Sequence, residues 1–455
     1  MNDLTQKTCY FGVVPDQGQT KSFGILDEDR RRHMYLLGKT GVGKSTMLQN
    51  MCLQDIYQGK GVCFIDPHGD SVEYILDRIP LHRQKDLIYF NPADINFPIG
   101  LNVLQADNDE QIFLIASGLM SVFKRIWSGM WSTRMEYILN NTLLALLEQK
   151  DATLLGVIKM LSDDQYCKNV VQNTKNPMVR NFWNREYSSF HDKYRQEAVA
   201  PILNKVGQFF SNELIRNIIG QKTSSFSIRE VMDSKKILLV NLSKGRLGED
   251  NSNLLGSLIV TKIQLAAMSR VDLMEDERQN YCLYVDEFQN FTTDSFASIL
   301  SEARKYGLNL ILAHQYIDQL SETGNERIKN AIFGNVGSFV VFQVGSTDAN
   351  RLAAEFEPYI TKQQLINLDR REIAVKLSID SRTSRPFLAQ TMPPVFNKFG
   401  GKKDYFIEMN RHLYGRSRQQ VAEEIEKYLV DEESTKRRTQ NKKSNNGLGS
   451  GKTKS

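Results

Sequence analysis

The sequence has few cysteines and histidines, and their arrangement argues against a cross-linked or metal-stabilised fold. Five cysteines occur in 455 residues, an odd number without any CxxC spacing. Most of them fall within apolar segments, as reduced cysteines of a protein core do. The six histidines show neither HxxxH nor HExxH spacing. The sequence therefore predicts no disulfides and no metal site built from cysteine or histidine.

Long apolar runs are also missing. No segment reaches the roughly 18 uninterrupted apolar residues that a membrane-spanning helix needs, and the longest near candidate, Ile112 to Phe123, is too short. The opening residues, MNDLTQKTCYFG, contain polar and acidic residues in place of an apolar signal core. With 41% hydrophobic residues the chain can still bury a sizeable core. We expect a cytoplasmic protein without an intrinsic transmembrane anchor.

Acidic residues are absent from the last 22 residues, which carry seven lysines and arginines. Removing those seven charges from the total of +5 leaves the preceding 433 residues at −2. The segment 434–455 is rich in Lys, Ser, Asn and Gly, so we expect a basic, disordered tail. Such a tail either holds DNA, RNA or an acidic membrane surface loosely or serves only solubility.

A glycine-rich run, GKTGVGKST, follows the apolar segment Met34-Tyr35-Leu36-Leu37 and precedes a segment of helical character. A turn between a buried strand and a helix directs backbone N–H groups at phosphate oxygens, and the helix dipole adds to the attraction. The pattern GxxxxGK[ST] in this context predicts a phosphate-binding loop rather than a fortuitous glycine turn. The residues expected to contact the nucleotide are Gly38, Lys39, Thr40, Gly41, Val42, Gly43, Lys44, Ser45 and Thr46.

Two members of this loop have chemical roles of their own. Lys44 is expected to reach the β- and γ-phosphates, and the Ser45 hydroxyl is expected to coordinate Mg²⁺. A second metal ligand is predicted in YCLYVDEF, where a short apolar strand ends in two acids. Asp286 would hold the magnesium ion and Glu287 would polarise the attacking water. A carboxylate at that place favours hydrolysis, so a kinase is the weaker hypothesis.

Strands and helices alternate on both sides of a long helical stretch. Apolar strand segments at 61–66, 86–90, 236–240, 281–286, 308–312 and 338–344 are separated by helical patterns. This order predicts an α/β fold with a mainly parallel sheet covered by helices. Ligands of such sheets bind at the carboxyl ends of the strands, where Asp66, Asp286 and Gln315 all fall.

Several motifs occur together in an order that resembles a known group. LLGKTGVGKS, FIDPHGD, YVDEFQNF, SEARKYGLNLILAHQ and GNVGSFVVFQVGSTDA, with the helical insertion between the second and third, are similar to those of the type IV secretion coupling proteins. These are the TraG/TraD-like conjugative ATPases of the FtsK/HerA motor group. The likeness covers roughly residues 20 to 395.

The resemblance implies a RecA-like P-loop NTPase core, ATP and Mg²⁺ as cofactors, and assembly into a homo-oligomer, a hexamer. It also implies Gln315 as a residue that holds the attacking water or senses the γ-phosphate; a simple loop glutamine is the alternative. Arg304, eleven positions earlier, matches the arginine finger that reaches a neighbouring subunit. Its alternative is a solvated helix-face arginine, and Arg327 is the second candidate for the finger.

The same resemblance implies that the protein is an ATP-hydrolysing DNA translocase of conjugative transfer or type IV secretion. DNA, a relaxase and secretion-channel proteins are the implied partners. Coupling proteins usually carry amino-terminal transmembrane helices, so a cytosolic relative or a protein recruited to the inner face of the membrane is expected here. A nucleotide-gated adaptor and a protein-export ATPase are the alternatives.

The expected organisation has five segments. They are 1–107, with an amino-terminal hairpin and the first part of the ATPase core; 108–234, an all-helical insertion; 235–395, the second part of the core; 396–433, a helical extension; and 434–455, the basic tail.

Overall fold

A computed structural model describes residues 7–106, 108–320, 326–395 and 400–430. The basic tail predicted at 434–455 lies outside these residues. The strands of the described residues are β1 (Thr8–Asp16), β2 (Gln19–Leu26), β3 (Met34–Leu37), β4 (Gly61–Asp66), β5 (Leu87–Phe90), β6 (Ile237–Asn241), β7 (Tyr281–Val285), β8 (Leu308–His314), β9 (Ser338–Val341), β10 (Glu372–Lys376), β11 (Ser378–Ile379), β12 (Arg382–Thr383) and β13 (Phe387–Thr391).

Helices connect most of these strands. The α-helices of the described residues are α1 (Asp27–Arg30), α2 (Lys44–Tyr57), α3 (Asp70–Leu76), α4 (Gln111–Ile126), α5 (Thr133–Leu147), α6 (Leu155–Ser162), α7 (Asp164–Asn173), α8 (Pro177–Asn181), α9 (Asp192–Ser211), α10 (Glu213–Ile219), α11 (Ile228–Asp233), α12 (Lys244–Leu247), α13 (Glu249–Met268), α14 (Phe296–Glu302), α15 (Glu326–Asn335), α16 (Ser346–Phe356), α17 (Lys362–Ile366), α18 (Lys403–Tyr414) and α19 (Arg418–Leu429).

Eleven of the described strands form one sheet in the order β2-β1-β13-β10-β9-β3-β8-β7-β4-β6-β5. The seven from β9 to β5 are parallel to one another, and the four at the other side pair antiparallel. The central strands are buried on both faces, which explains why they read as continuous apolar runs instead of alternating ones. The predicted α/β fold with a mainly parallel sheet is confirmed, and β1 and β2 form an antiparallel hairpin at one edge of this sheet.

Strand boundaries agree closely with the predicted segments, with one larger difference. The strand predicted over 338–344 ends at Val341, and the two residues that follow form hydrogen bonds with the end of β3 and with the phosphate loop. The Phe342 N–H donates to the Leu37 carbonyl at 2.8 Å, and the Gln343 carbonyl accepts from the Lys39 N–H at 2.9 Å. The carboxyl end of β9 therefore supports the loop that follows β3.

A buried ion network joins the element that precedes β3 to the helix that follows it. Arg30 and Asp55, 1% and 0% exposed, form a bidentate pair with two N–O distances of 2.8 Å. Tyr284 of β7 donates its hydroxyl to the same carboxylate at 2.5 Å. Burial opposes ionisation of Asp55, but the Arg30 charge outweighs it and lowers the pKa of the carboxyl. The network fixes α2, which carries the phosphate loop, against the strand that carries the two acids.

The described chain forms two compact units, and their limits differ from the predicted segments. The first unit holds the sheet and consists of the described residues within 7–93, 106–140 and 226–414. It thus includes α4, which the sequence placed in the helical insertion. The apolar face of α4 packs closely on α13, because Gly118 has no side chain: a Cβ there would lie 2.7 Å from Cγ2 of Thr261.

Among the described residues the second unit comprises 94–105, 141–225 and 415–430, and its long elements are helices. The all-helical character expected for the insertion is thus seen in its middle part. Helix α19 belongs to this unit: Val421 and Ile425 are buried, and the Tyr428 and Tyr166 hydroxyls lie 2.8 Å apart. The terminal helix therefore packs on the helical unit and forms no extension of the core.

One stretch of the described residues, Glu249–Asp272, is long and apolar enough to cross a membrane. It contains α13, which packs on α4, and 72% of its most apolar window is buried inside the protein. Such burial is typical of a core helix in an α/β unit.

Candidate functional site

The order of three strands brings the predicted site together. Strand β8 lies between β3 and β7 and is parallel to both. Leu37, the last residue of β3, is opposite His314, the last residue of β8. The phosphate loop after β3, Gln315 after β8 and the two acids after β7 consequently meet at one edge of the sheet.

The phosphate loop has the backbone that its glycines suggested. Gly43, directly before α2, has φ +120°, a value that side chains rarely permit. At Gly38 a Cβ would lie 2.5 Å from the Cβ of Phe342. Residues 39–41 at the tip of the loop are exposed. The loop thus presents its backbone to solvent at the amino terminus of a 14-residue helix.

Lys44 lies within the loop that it is expected to complete. Its Nζ donates to the carbonyl of Gly38 at 2.6 Å and to that of Lys39 at 3.0 Å. Burial lowers the pKa of Lys44, and the charges of Glu287 and Asp286 act in the opposite direction. The ammonium group is therefore partly desolvated and donates to two uncharged carbonyl oxygens, which an anionic phosphate oxygen can replace with a stronger, charge-assisted hydrogen bond.

Ser45 and Asp286 form the predicted metal pair. The Ser45 hydroxyl donates to Oδ2 of Asp286 at 2.8 Å. Burial, with the charges of Asp66 and Glu287, raises the pKa of Asp286 to about 6, although the Ser45 hydrogen bond and the Lys44 charge oppose the shift. A carboxylate in such surroundings gains from a nearby cation. The donor set, one hydroxyl and one carboxylate oxygen, is the type that Mg²⁺ accepts when phosphates and water complete its shell.

Asp66, at the end of β4, has a structural role that differs from the roles expected for Asp286 and Glu287. Its carboxylate accepts from the backbone N–H groups of His68 and Ser71, both at 2.8 Å, and of Val72 at 3.3 Å. These bonds cap the first turn of α3. Asp66 contributes negative charge near Asp286, while its oxygens stabilise the helix.

Glu287 is held in a strained conformation. Its φ of 47° and ψ of 49° lie in the left-handed region, which is uncommon for residues other than glycine and occurs at functional sites. Gln315 Nε2 donates to Oε1 of Glu287 at 3.0 Å, and Gln289 Nε2 donates to Oε2 at 2.6 Å. The structure thus brings Gln315, which was expected to hold the attacking water or sense the γ-phosphate, into contact with Glu287. Gln289 was not singled out from the sequence, although it follows the acid pair by two residues.

Strand β8, which directly precedes Gln315, is linked to β3 by a buried pair of side chains. The Tyr35 hydroxyl forms a short hydrogen bond with Nε2 of His314. Burial lowers the pKa of His314 to about 3, and the Lys44 charge adds to this shift. The imidazole is therefore neutral, and it links β3 to β8 next to the site.

Arg304 lies at the amino ends of the parallel strands, whereas the phosphate loop lies at their carboxyl ends. Arg304 precedes β8, whose seven residues span about 23 Å at 3.3 Å each. Its side chain is exposed beside Arg31, Arg32 and His33 in a pocket at the amino ends of the strands. Arg304 cannot reach the phosphate loop of its own chain. Arg327, on α15, is also exposed.

A third arginine, Arg371, adjoins the phosphate loop and was missed from the sequence. Its N–H donates to the carbonyl of Val42 at 3.1 Å, and its Cγ would lie 3.9 Å from a Cβ added to Gly43. Its φ of 70° is another left-handed value. The side chain is exposed next to the loop. No local motif marks this residue, because the contact spans more than 300 positions of the chain.

Comparison with known proteins agrees with this geometry. A family model for the type IV secretion-system coupling protein DNA-binding domain matches residues 22–380. The chain belongs to this family. The match begins within β2 and extends to the segment after β11, so it includes every residue of the site described above.

One curated relative of this family member is the type 4 coupling protein DotL of Legionella pneumophila. The two are 21% identical over an alignment 386 positions long, which covers 71% of this chain and 48% of DotL. The chain therefore spans about half the length of that relative.

Solved structures share the fold. The bacterial conjugative coupling protein TrwB, in a form lacking its first 70 residues, matches with a TM-score of 0.60 and 15% identity over 84% of this chain and 88% of the other. TrwB in complex with ADP and Mg²⁺ matches equally well, with 82% of this chain and 89% of the other covered. VirB4 of Thermoanaerobacter pseudethanolicus matches with a TM-score of 0.55 and 15% identity over 84% and 96%. The coupling protein fold, a RecA-like P-loop core, is thereby established for this chain.

Proposed function

We propose that the protein is a Mg²⁺-dependent ATPase that couples ATP hydrolysis to the movement of DNA in conjugative transfer or type IV secretion. The observation that carries this proposal is the placement of β8 between β3 and β7, which unites a phosphate loop, an acid pair and Gln315. TrwB, which shares the fold, has been solved with ADP and Mg²⁺ and with a non-hydrolysable ATP analogue.

In this proposal the nine loop residues bind the phosphates of ATP, with Lys44 on the β- and γ-phosphates. Ser45 and Asp286 hold Mg²⁺, as supported by the 2.8 Å between their oxygens. The bound ion would neutralise negative charge on the phosphates. Arg371 adds a cation beside the loop. Glu287 orients and polarises the attacking water, and Gln315 holds the Glu287 carboxylate and contacts the same water.

The proposed arginine finger acts between subunits. Arg304 is remote from its own phosphate loop, so any contact with a nucleotide must come from another copy of the chain. We propose a ring of identical subunits, a hexamer, in which Arg304 of one copy completes the site of the next. Mixing Arg304→Ala with Lys44→Ala tests this: each variant alone is inactive, and turnover returns in the mixture. Lys305→Ala, an exposed neighbour, is the matched control. No recovery in the mixture would contradict the composite site.

DNA is the polymer that we propose the ATPase moves. A relaxase and secretion-channel proteins are the proposed partners, and the proposed location is the cytoplasm, at the inner face of the membrane. The test is the ATPase rate with no polymer, with single- and double-stranded DNA, and with a peptide. We expect stimulation by DNA that weakens as salt increases, since phosphate contacts release counterions. An unchanged rate with DNA and a raised rate with peptide would favour protein export. Nucleotide binding with negligible turnover under all conditions would favour a gated adaptor.

A further inference from the structure

Both oxygens of the Glu287 carboxylate are bonded to side-chain amides. Gln315 donates to Oε1 and Gln289 to Oε2, at 3.0 and 2.6 Å. The shorter bond comes from Gln289, which belongs to the short 3-10 turn Phe288–Asn290 that follows Glu287. A carboxylate that is to polarise water has to direct an oxygen at that water. Hydrogen bonds from two amide donors restrict the reorientation of the Glu287 carboxylate that this requires.

Gln289 has a second potential partner on its other side. Arg125, in the last turn of α4, donates from Nη2 to the backbone carbonyl of Gln289 at 2.5 Å. Its Nη1 is buried and has no hydrogen-bond acceptor among the described residues. The side-chain oxygen of Gln289, Oε1, is also buried and has no donor within the described chain. An unused donor and an unused acceptor thus lie on two residues that are already in contact.

Arg125 also lacks a neutralising charge. Burial alone lowers its pKa to about 10, and no carboxylate of the described residues pairs with it. Leaving a half-buried cation without a carboxylate is unfavourable, so ion pairing does not explain the position of this arginine. The residue after next, Trp127, is 2% exposed and stacks on Phe123 with ring centroids 4.6 Å apart. The packed aromatic pair holds this end of α4 in place.

We propose that Gln289 is a positioning residue that restrains Glu287 at rest, and that Arg125 is the competing partner that draws the Gln289 side chain away. In the second arrangement Gln289 Oε1 accepts from Arg125 Nη1, both unused groups are satisfied, and Oε2 of Glu287 is free to contact water. The inference rests on the proposed function, because it takes Glu287 to be the residue that acts on water.

The experiment measures kcat, KM and nucleotide affinity of the full chain without polymer. Gln289→Met keeps the size of the side chain and removes the restraint, so we expect kcat to rise about threefold to tenfold at unchanged nucleotide Kd. Gln289→Glu cannot donate to Glu287 but can accept from Arg125, and it should raise kcat as well. Arg125→Met removes the competitor and should lower kcat by a similar factor. Lys124→Met, an exposed neighbour on α4, is the control and should leave kcat unchanged.

The double variant separates positioning from a merely structural role. If Arg125 acts through Gln289, then Arg125→Met combined with Gln289→Met has the raised kcat of Gln289→Met alone. Additive losses, or a lowered kcat in both Gln289 variants with normal thermal unfolding, overturn the inference. Loss of turnover in Glu287→Gln tests the proposed function separately. A wild-type rate that survives Glu287→Gln overturns both.

Discussion

Replacement of Glu287 by glutamine separates binding from hydrolysis. The substitution preserves side-chain volume at a position that is 7% exposed. The introduced amide oxygen can accept from either Gln315 or Gln289, but its NH₂ group must then face the other donor. One charge-assisted hydrogen bond is therefore lost, at a cost of about 1.5–3 kcal/mol. Since domains are stable by about 5–15 kcal/mol, the variant should still fold.

Turnover should decrease far more than stability. A positioned general base contributes about 10² to 10⁴ in rate, or about 2.7–5.5 kcal/mol at 1.36 kcal/mol per tenfold. Lys44, Ser45 and Asp286 are unchanged, so nucleotide affinity should remain within about threefold of the wild type. Phosphate release under single-turnover conditions gives the rate, and equilibrium titration with an ATP analogue gives the affinity. A rate within about threefold of the wild type at equal affinity would refute the role given to Glu287.

Three further predictions concern charge at and near the site. Because burial raises the pKa of Asp286 to about 6, its carboxylate gains a proton as pH falls below that value, so Mg²⁺-dependent nucleotide binding should weaken from about pH 7 to pH 5. Calorimetry at several pH values checks this, and a flat profile, or the same profile in Asp286→Asn, would count against it. Arg371→Ala should raise the nucleotide Kd about threefold to tenfold in the same titration, whereas its exposed neighbour Arg370 should tolerate alanine; equal effects would show that Arg371 has no special place. Asp55→Ala leaves the buried Arg30 with only the longer ion pair to Asp27, at 3.8 Å, and should lower the free energy of unfolding by about 3–5 kcal/mol in urea titrations. A loss below about 1 kcal/mol would mean that Asp27 or solvent compensates for the missing carboxylate.

Local sequence patterns were sufficient to predict the parts of the site that lie within one segment of the chain. The glycine loop and the acids after β7 follow apolar strands directly, so composition and spacing fixed their positions. The edge of the sheet at which Gln315 lies could be expected for the same reason. Its contact with Glu287 depends on the order β3-β8-β7, which arises from packing among strands distant in the chain.

Other features required tertiary structure. The approach of Arg371 to Val42 and the bond from Arg125 to Gln289 join distant segments with no motif in common. The helical spacing of α4 predicted a helix correctly but contained no information about its partner, and α4 proved to pack on α13. Periodicity reports which face of a helix is buried, and the identity of the surface that buries it depends on the complete fold.

A nucleoside triphosphate and Mg²⁺ are proposed to bind together between the loop after β3 and the acids after β7. Calorimetric titration of the wild-type chain with a non-hydrolysable ATP analogue, with and without Mg²⁺, tests this proposal most directly. We expect one site per chain, affinity that depends on Mg²⁺, and loss of binding in Lys44→Ala. Absence of binding to the wild type, or binding that neither Mg²⁺ nor Lys44→Ala alters, would contradict the account.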